Sequence, residues 1–188
     1  MRAPCLLLLL CGLLLTCASA QEQNSGRVEF FDGYSYTRYS VFGLYSGPWT
    51  GYGFTGWEAS AAVKLVPHLD AEADFVGGGV TSANGPYNLH TYMAGPRISA
   101  DFRKVRVFGH VLFGALSLDG TTTSANASPS FAADLGGGAD FWLVRHLGIR
   151  LIQADYFRNI NTAAAQTAVG GSGPAWHYHI STGVVVRF

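Results

Sequence analysis

The end of the chain constrains its fold more than any other stretch. Trp176, Tyr178, Ile180, Thr182, Val184, Val186 and Phe188 alternate with His177, His179, Ser181, Gly183 and Arg187. A period of two belongs to a strand with one apolar and one polar face. Such a strand has two hydrogen-bonding edges that need partners, so it implies a sheet. The pattern recurs upstream. Trp57, Ala59, Ala61, Val63 and Leu65 alternate with Glu58, Ser60, Ala62 and Lys64, and Leu69, Ala71, Ala73 and Phe75 alternate with Asp70, Glu72 and Asp74. Three carboxylates on one strand face cannot meet an apolar core without partners, so that face is wet or paired. No stretch after Gln21 has a helical period.

Eight strands are expected: residues 28–39, 54–65, 69–77, 87–102, 105–118, 131–144, 147–159 and 175–188. Short turns at 66–68, 103–104 and 145–146 alternate with longer loops at 40–53, 78–86, 119–129 and 160–174. Both termini and all short turns then fall at one end, and all long loops at the other. Outer-membrane barrels have this asymmetry. Strands of about 9–11 residues cross the hydrocarbon layer when tilted. Lipid offers nothing to an open sheet edge, which forces closure. The expected fold is therefore all-β: an eight-stranded antiparallel up-and-down transmembrane β-barrel.

The start of the chain reads as an export signal. Arg2 precedes an apolar block from Leu6 to Leu15, and Ala18-Ser19-Ala20 closes the segment before Gln21. Residues 1–20 are expected to be removed, leaving 21–188 as the barrel domain. Leu14-Leu15-Thr16-Cys17 loosely resembles a lipoprotein box, but Thr16 suits it poorly. Cys5, Cys11 and Cys17 all lie in this segment, so no disulfide framework or cysteine metal site is expected in the mature chain. Twelve basic residues balance twelve acidic ones, which leaves no electrostatic footprint for nucleic acid.

Several segments, taken in order with the strand count, carry a family resemblance. They are Phe31-Asp32-Gly33-Tyr34-Ser35-Tyr36, Gly95-Pro96-Arg97, Gly136-Gly137-Gly138-Ala139-Asp140-Phe141, Gln153-Ala154-Asp155-Tyr156 and Val184-Val185-Val186-Arg187-Phe188. The chain resembles the small OmpA-like, porin-like eight-stranded outer-membrane barrels over residues 27–188. The terminal phenylalanine looks like the signal read by the barrel-assembly machinery. Full-length OmpA proteins carry a peptidoglycan-binding domain after the barrel; this chain stops at Phe188, so a cell-wall tether is not implied. The family often pairs arginine and glutamate near the seventh strand. The matching positions here are Gln153 and Asp155, so a salt-bridge gate is not implied either.

The alternation places Glu58, Lys64, Asp70, Glu72, Asp74, Arg97, Asp101, His110, Asp140, Asp155, His177, His179 and Arg187 inside. Eight strands leave just enough room for side chains, which favours a packed plug over a passage, and wide lumens belong to barrels of about 16–18 strands. Arg150 is out of phase with Gln153 and Asp155 and is expected to face outward. His177 and His179 could form a metal pair with His110, but no local third ligand follows, and no metal is expected. His179 and Ser181 could suggest a lipid-modifying enzyme. No acidic orienter follows Ser181, and the face points away from lipid.

The glycine clusters Gly77-Gly78-Gly79, Gly136-Gly137-Gly138 and Gly170-Gly171 lack the lysine and helix of a phosphate loop. The middle one suits close packing in a strand, and the others suit loops. Asn126-Ala127-Ser128 matches a glycosylation sequon incidentally. Tyr34, Tyr36, Trp57, Phe75, Tyr92, Phe102, Phe141, Tyr156, Trp176, Tyr178 and Phe188 are expected near strand ends as interfacial girdles.

The expected protein is a monomeric, non-enzymatic outer-membrane barrel of a Gram-negative bacterium, structural or surface-interacting, at most a narrow pore. It needs no cofactor, and lipids, lipopolysaccharide and the assembly machinery are its partners. The alternatives are an exported soluble lipocalin-like barrel and a lipid-modifying enzyme.

Overall fold

The computed structural model describes residues 28–40, 51–82, 85–120, 129–160 and 176–188. The expected signal segment, the sequon at Asn126 and Gly170-Gly171 lie outside them. Eight strands follow in chain order: β1 (Val28–Ser40), β2 (Gly51–Val66), β3 (Leu69–Ser82), β4 (Gly85–Phe102), β5 (Val105–Gly120), β6 (Ser130–Trp142), β7 (Leu147–Asn159) and β8 (Trp176–Arg187). Each pairs antiparallel with the next, and β8 returns to β1 to close a barrel. Beyond the strand ladder, Phe188 N donates to Val28 O at 2.9 Å, so the last residue secures the seam.

The turn end is tight. His68 and Arg103 take positive φ angles of 69° and 54°, which lets two-residue turns reverse the chain. At the other end one expectation fails. Residues 78–86 do not form a long loop, because β3 and β4 stay paired up to Ser82↔Gly85. Gly77-Gly78-Gly79 therefore belongs to the wall. A Cβ on Gly77 would stand 2.8 Å from the Trp57 indole nitrogen, so the glycine accommodates that ring.

Outward faces form an apolar band. Ile98, Leu135, Leu151 and Val184 are exposed to the surroundings, as are Tyr34, Trp57, Phe75, Tyr92, Phe113, Phe131, Tyr156 and Tyr178. A soluble barrel would bury such side chains, so the lipocalin-like alternative fails. Trp57, Phe75 and Tyr92 lie in mid-strand rather than near the ends, contrary to expectation. The reason is length. β2, β3, β4 and β5 have 16, 14, 18 and 16 residues, against 13, 13, 13 and 12 for β1, β6, β7 and β8. The long strands continue past the aromatic belt toward the loops, and their outward residues there turn polar: Thr55, Thr81, Asn88, His90, Ser117 and Asp119. Phe102 and Phe188 mark the opposite end, both exposed. Within the band, Asp32 is a carboxylate facing out, on the same face of β1 as Tyr34.

Candidate functional site: the barrel interior

Inward residues fall into three layers. Nearest the loops, Tyr39, Phe54, Leu89, Met93, Leu112, Leu116, Ala132 and Phe157 form an apolar cluster, with Leu89 at 0% exposure. Alternation alone did not reveal this layer, since here the inward face of β4 and β5 is apolar while outward Asn88, His90, Ser117 and Asp119 are polar, the reverse of the band below. His177 belongs to it: its ring stacks on Tyr39 at 3.7 Å, and Asn159 donates to the Tyr39 hydroxyl at 3.2 Å. His177 and His179 thus lie in different layers of the interior.

The middle layer holds Glu58, Glu72, Asp74, Asp134 and Asp155 with His110 and His179. His179 Nε2 lies 2.6 Å from Glu58 Oε2, and its Nδ1 lies 2.8 Å from Thr37 Oγ1. His110 bridges two acids, with Nδ1 2.8 Å from Glu72 Oε2 and Nε2 3.0 Å from Asp155 Oδ1. Gly136 makes this bridge possible, because a Cβ there would overlap the Asp155 carboxylate and crowd the His110 ring. Ser181 is buried and points into the same interior as His179, away from lipid.

The layer nearest the turns holds the cations. Glu29 receives three guanidinium groups: Arg97 at 2.5 Å, Arg187 at 2.7 Å and Arg106. Arg97 also grips Asp70 at 3.0 and 3.1 Å, and Arg106 grips Asp101 at 2.8 and 2.9 Å. Buried charges persist only when paired and hydrogen-bonded in this way. Arg187 stacks over Trp142, 3.8 Å from the ring centroid. Phe31 and Val185 complete the apolar patch around Trp142.

Arg150 corrects the sequence reading, for it faces inward. Opposite β6, Ala139 pairs with Ile152 while Asp140 pairs with Arg150, so Leu151 is an extra residue on β7. The bulge turns Leu151 and Ile152 both outward and shifts the phase of everything before them. Inside, Arg150 sits between the Phe31 and Phe108 rings, 4.2 and 4.4 Å from their centroids. Its Nε donates to Asp140 at 2.8 Å and its Nη1 to Gln153 at 2.5 Å. Gln153 passes the contact on, donating to Asp155 at 2.7 Å. One network therefore runs from Asp140 through Arg150, Gln153, Asp155, His110, Glu72 and Arg97 to Glu29.

Most of the expected interior residues are where alternation put them. Glu58, Asp70, Glu72, Asp74, Arg97, His110, Asp140, Asp155, His177 and His179 are buried, Lys64 and Arg187 are half-buried, and Asp101 lies at the rim. Glu29, Arg106 and Asp134 also face in and were not anticipated. Their parity with Phe31, His110 and Asp140 on their own strands carried the signal. Glu29 was obscured because its inward face also holds Phe31, while the opposite face holds Asp32.

No family model matches the chain, and no curated protein matches it in sequence. Solved structures do match in shape. Neisserial surface protein A superposes with a TM-score of 0.66 at 10% identity, over 87% of this chain and 100% of that one. Outer membrane protein OprG from Pseudomonas aeruginosa gives 0.58 at 11% identity, over 87% and 96%. The attachment invasion locus protein Ail of Yersinia pestis gives 0.55 at 13%, over 88% and 100%. The chain has the fold of the small eight-stranded outer-membrane β-barrels.

Proposed function

We propose that this protein is an integral outer-membrane barrel of a Gram-negative bacterium that conducts no solute, catalyses no reaction and serves as a structural, surface-exposed element. The carrying observation is the pairing of an apolar outer band with an interior filled along its length. Phe54, Leu89, Leu112 and Leu116 pack the loop end, each at most 2% exposed. Four arginines and their carboxylates pack the turn end. Eight strands leave room for side chains but not for a water column.

The loop end is the surface-facing end by the usual asymmetry of these barrels. Residues 41–50, 83–84, 121–128 and 161–175 contain no Asp, Glu, Lys, Arg or His. Ail has been crystallised with the heparin analogue sucrose octasulfate. Uncharged connections give no support to a polyanion partner here. Any contact made through them would rest on hydroxyl, amide and aromatic groups such as Tyr45, Trp49 and Thr121.

Membrane fractionation tests the placement. The protein should stay with the outer membrane through salt and carbonate washes, require detergent for release, and migrate faster unheated than boiled. Release into the aqueous periplasmic fraction would contradict the reading.

A further inference from the structure

We propose that the middle layer of the barrel binds one divalent transition-metal cation of the zinc class, held by Glu58, Asp155 and His179. One donor atom from each of the three lies within 4.8 Å of the others, and all three residues are buried. Metal bonds of about 2.0–2.2 Å to nitrogen and oxygen would replace the 2.6 Å hydrogen bond between His179 Nε2 and Glu58 Oε2 and set those atoms slightly farther apart. A second set, His110, Asp134 and Asp155, meets the same distance criterion and shares Asp155. It supplies outer carboxylate and imidazole groups around the same point.

Three further observations point to a missing ligand rather than a finished hydrogen-bond network. Glu58 is wholly buried, yet its Oε1 has no hydrogen-bond partner, and Asp134 Oδ1, an enclosed atom on a half-buried residue, has none either. Buried carboxylate oxygens without partners are costly, and a cation is the natural complement. The layer is also rich in carboxylates, with Glu58, Glu72, Asp74, Asp134 and Asp155 gathered around His110 and His179. Arg106, Arg150 and Arg187 bond to Glu29, Asp101 and Asp140, and Arg97 reaches the middle layer at Glu72, 3.7 Å away. Finally, the proposed ligands are already oriented from behind. Thr37 holds His179 by Nδ1, leaving Nε2 toward the acids, and Gln153 holds the far oxygen of Asp155. Such supporting contacts are what metal-ligating side chains normally have.

The donor set selects the metal. Imidazole nitrogen with carboxylate oxygen suits zinc and its neighbours, whereas calcium and magnesium prefer oxygen alone. The site also spans the closing seam, since His179 is on β8, Thr37 on β1 and Glu58 on β2. With apolar residues above and arginines below, the ion would enter as the seam closes and exchange slowly afterwards.

The test refolds the full mature chain in detergent with zinc, with cobalt(II), with calcium or with chelator, then removes free metal. Folding is read by heat-modifiable migration and metal by elemental analysis. One zinc per folded barrel is expected, no retained calcium, and a visible ligand-field spectrum with cobalt. Asp155→Asn and His179→Gln should each lose the retained zinc while still migrating as folded barrels. Asp101→Asn, at the rim, should retain it. If either interior variant fails to fold, the isosteric Glu58→Gln is read instead by its altered cobalt spectrum. A folded wild-type barrel that retains no zinc would overturn the proposal, as would zinc retention that survives Asp155→Asn, or His179→Gln and Glu58→Gln, unchanged.

Discussion

Arg150 donates to Asp140 at 2.8 Å inside the barrel, and it does so because the next two residues, Leu151 and Ile152, both face lipid. The bulge exchanges one step of strand regularity for a buried ion pair inside the barrel. Thr182 helps hold it, donating to the Arg150 carbonyl at 2.8 Å. Arg150→Leu leaves Asp140 uncompensated and should cost about 3–5 kcal/mol, as breaking buried pairs generally does. The double variant Arg150→Leu, Asp140→Leu should recover a large part of that loss. Urea unfolding of the refolded barrel, followed by heat-modifiable migration, measures both.

Asp32 is a carboxylate on the lipid-facing wall, opposite Ala59 on β2 and Val184 on β8. Charged groups on the lipid face destabilise barrels, acids less than the ~2–4 kcal/mol of basic residues at mid-membrane. Asp32→Ala should therefore stabilise the barrel by about 1 kcal/mol in lipid bilayers. The gain should shrink for the protein in a loosely packed detergent micelle. Paired urea titrations in vesicles and in detergent give the comparison.

Gly77 lies beneath Trp57 on the outer wall, where a Cβ would stand 2.8 Å from the indole nitrogen. Gly77→Val must displace the ring, and overpacking of this kind costs about 1–3 kcal/mol. The expected result is a shift in tryptophan emission together with a lower unfolding midpoint. An Ala substitution at exposed Thr81, on the same strand, should change neither.

Phe188 packs edge-on against Phe30, with ring centroids 6.2 Å apart, and its backbone exchanges hydrogen bonds with Val28. Phe188→Ala keeps the backbone bonds and removes the ring. It should lower the yield of barrel in the outer membrane several-fold, while refolding in detergent is affected much less. Comparing cellular yield with refolding efficiency separates assembly from stability.

Much of this architecture was legible in the sequence because a strand writes its facing directly into alternate positions. β2, β3 and β8 show it: Glu58, Asp70, Glu72, Asp74, His177 and His179 all face where parity placed them. Parity fails where a residue is inserted, since one extra residue on β7 inverted the reading of Arg150. It does not say which face turns inward where the polar face is the outer one, as with Asn88 and His90 beside Leu89, and so the cluster around Leu89 and Leu112 was not foreseen. It also says nothing about height along the barrel. Which inward residues meet depends on the stagger between strands, and that stagger brings Glu58 to His179 but separates His179 from His177 in function.

The central claim is that the interior is filled from end to end. Single-channel recording of the purified, folded barrel in a planar bilayer tests it most directly. The account predicts a silent membrane at moderate voltage, with insertion verified by protease protection of the barrel in matched vesicles. Stable, reproducible current steps that scale with salt concentration would contradict it.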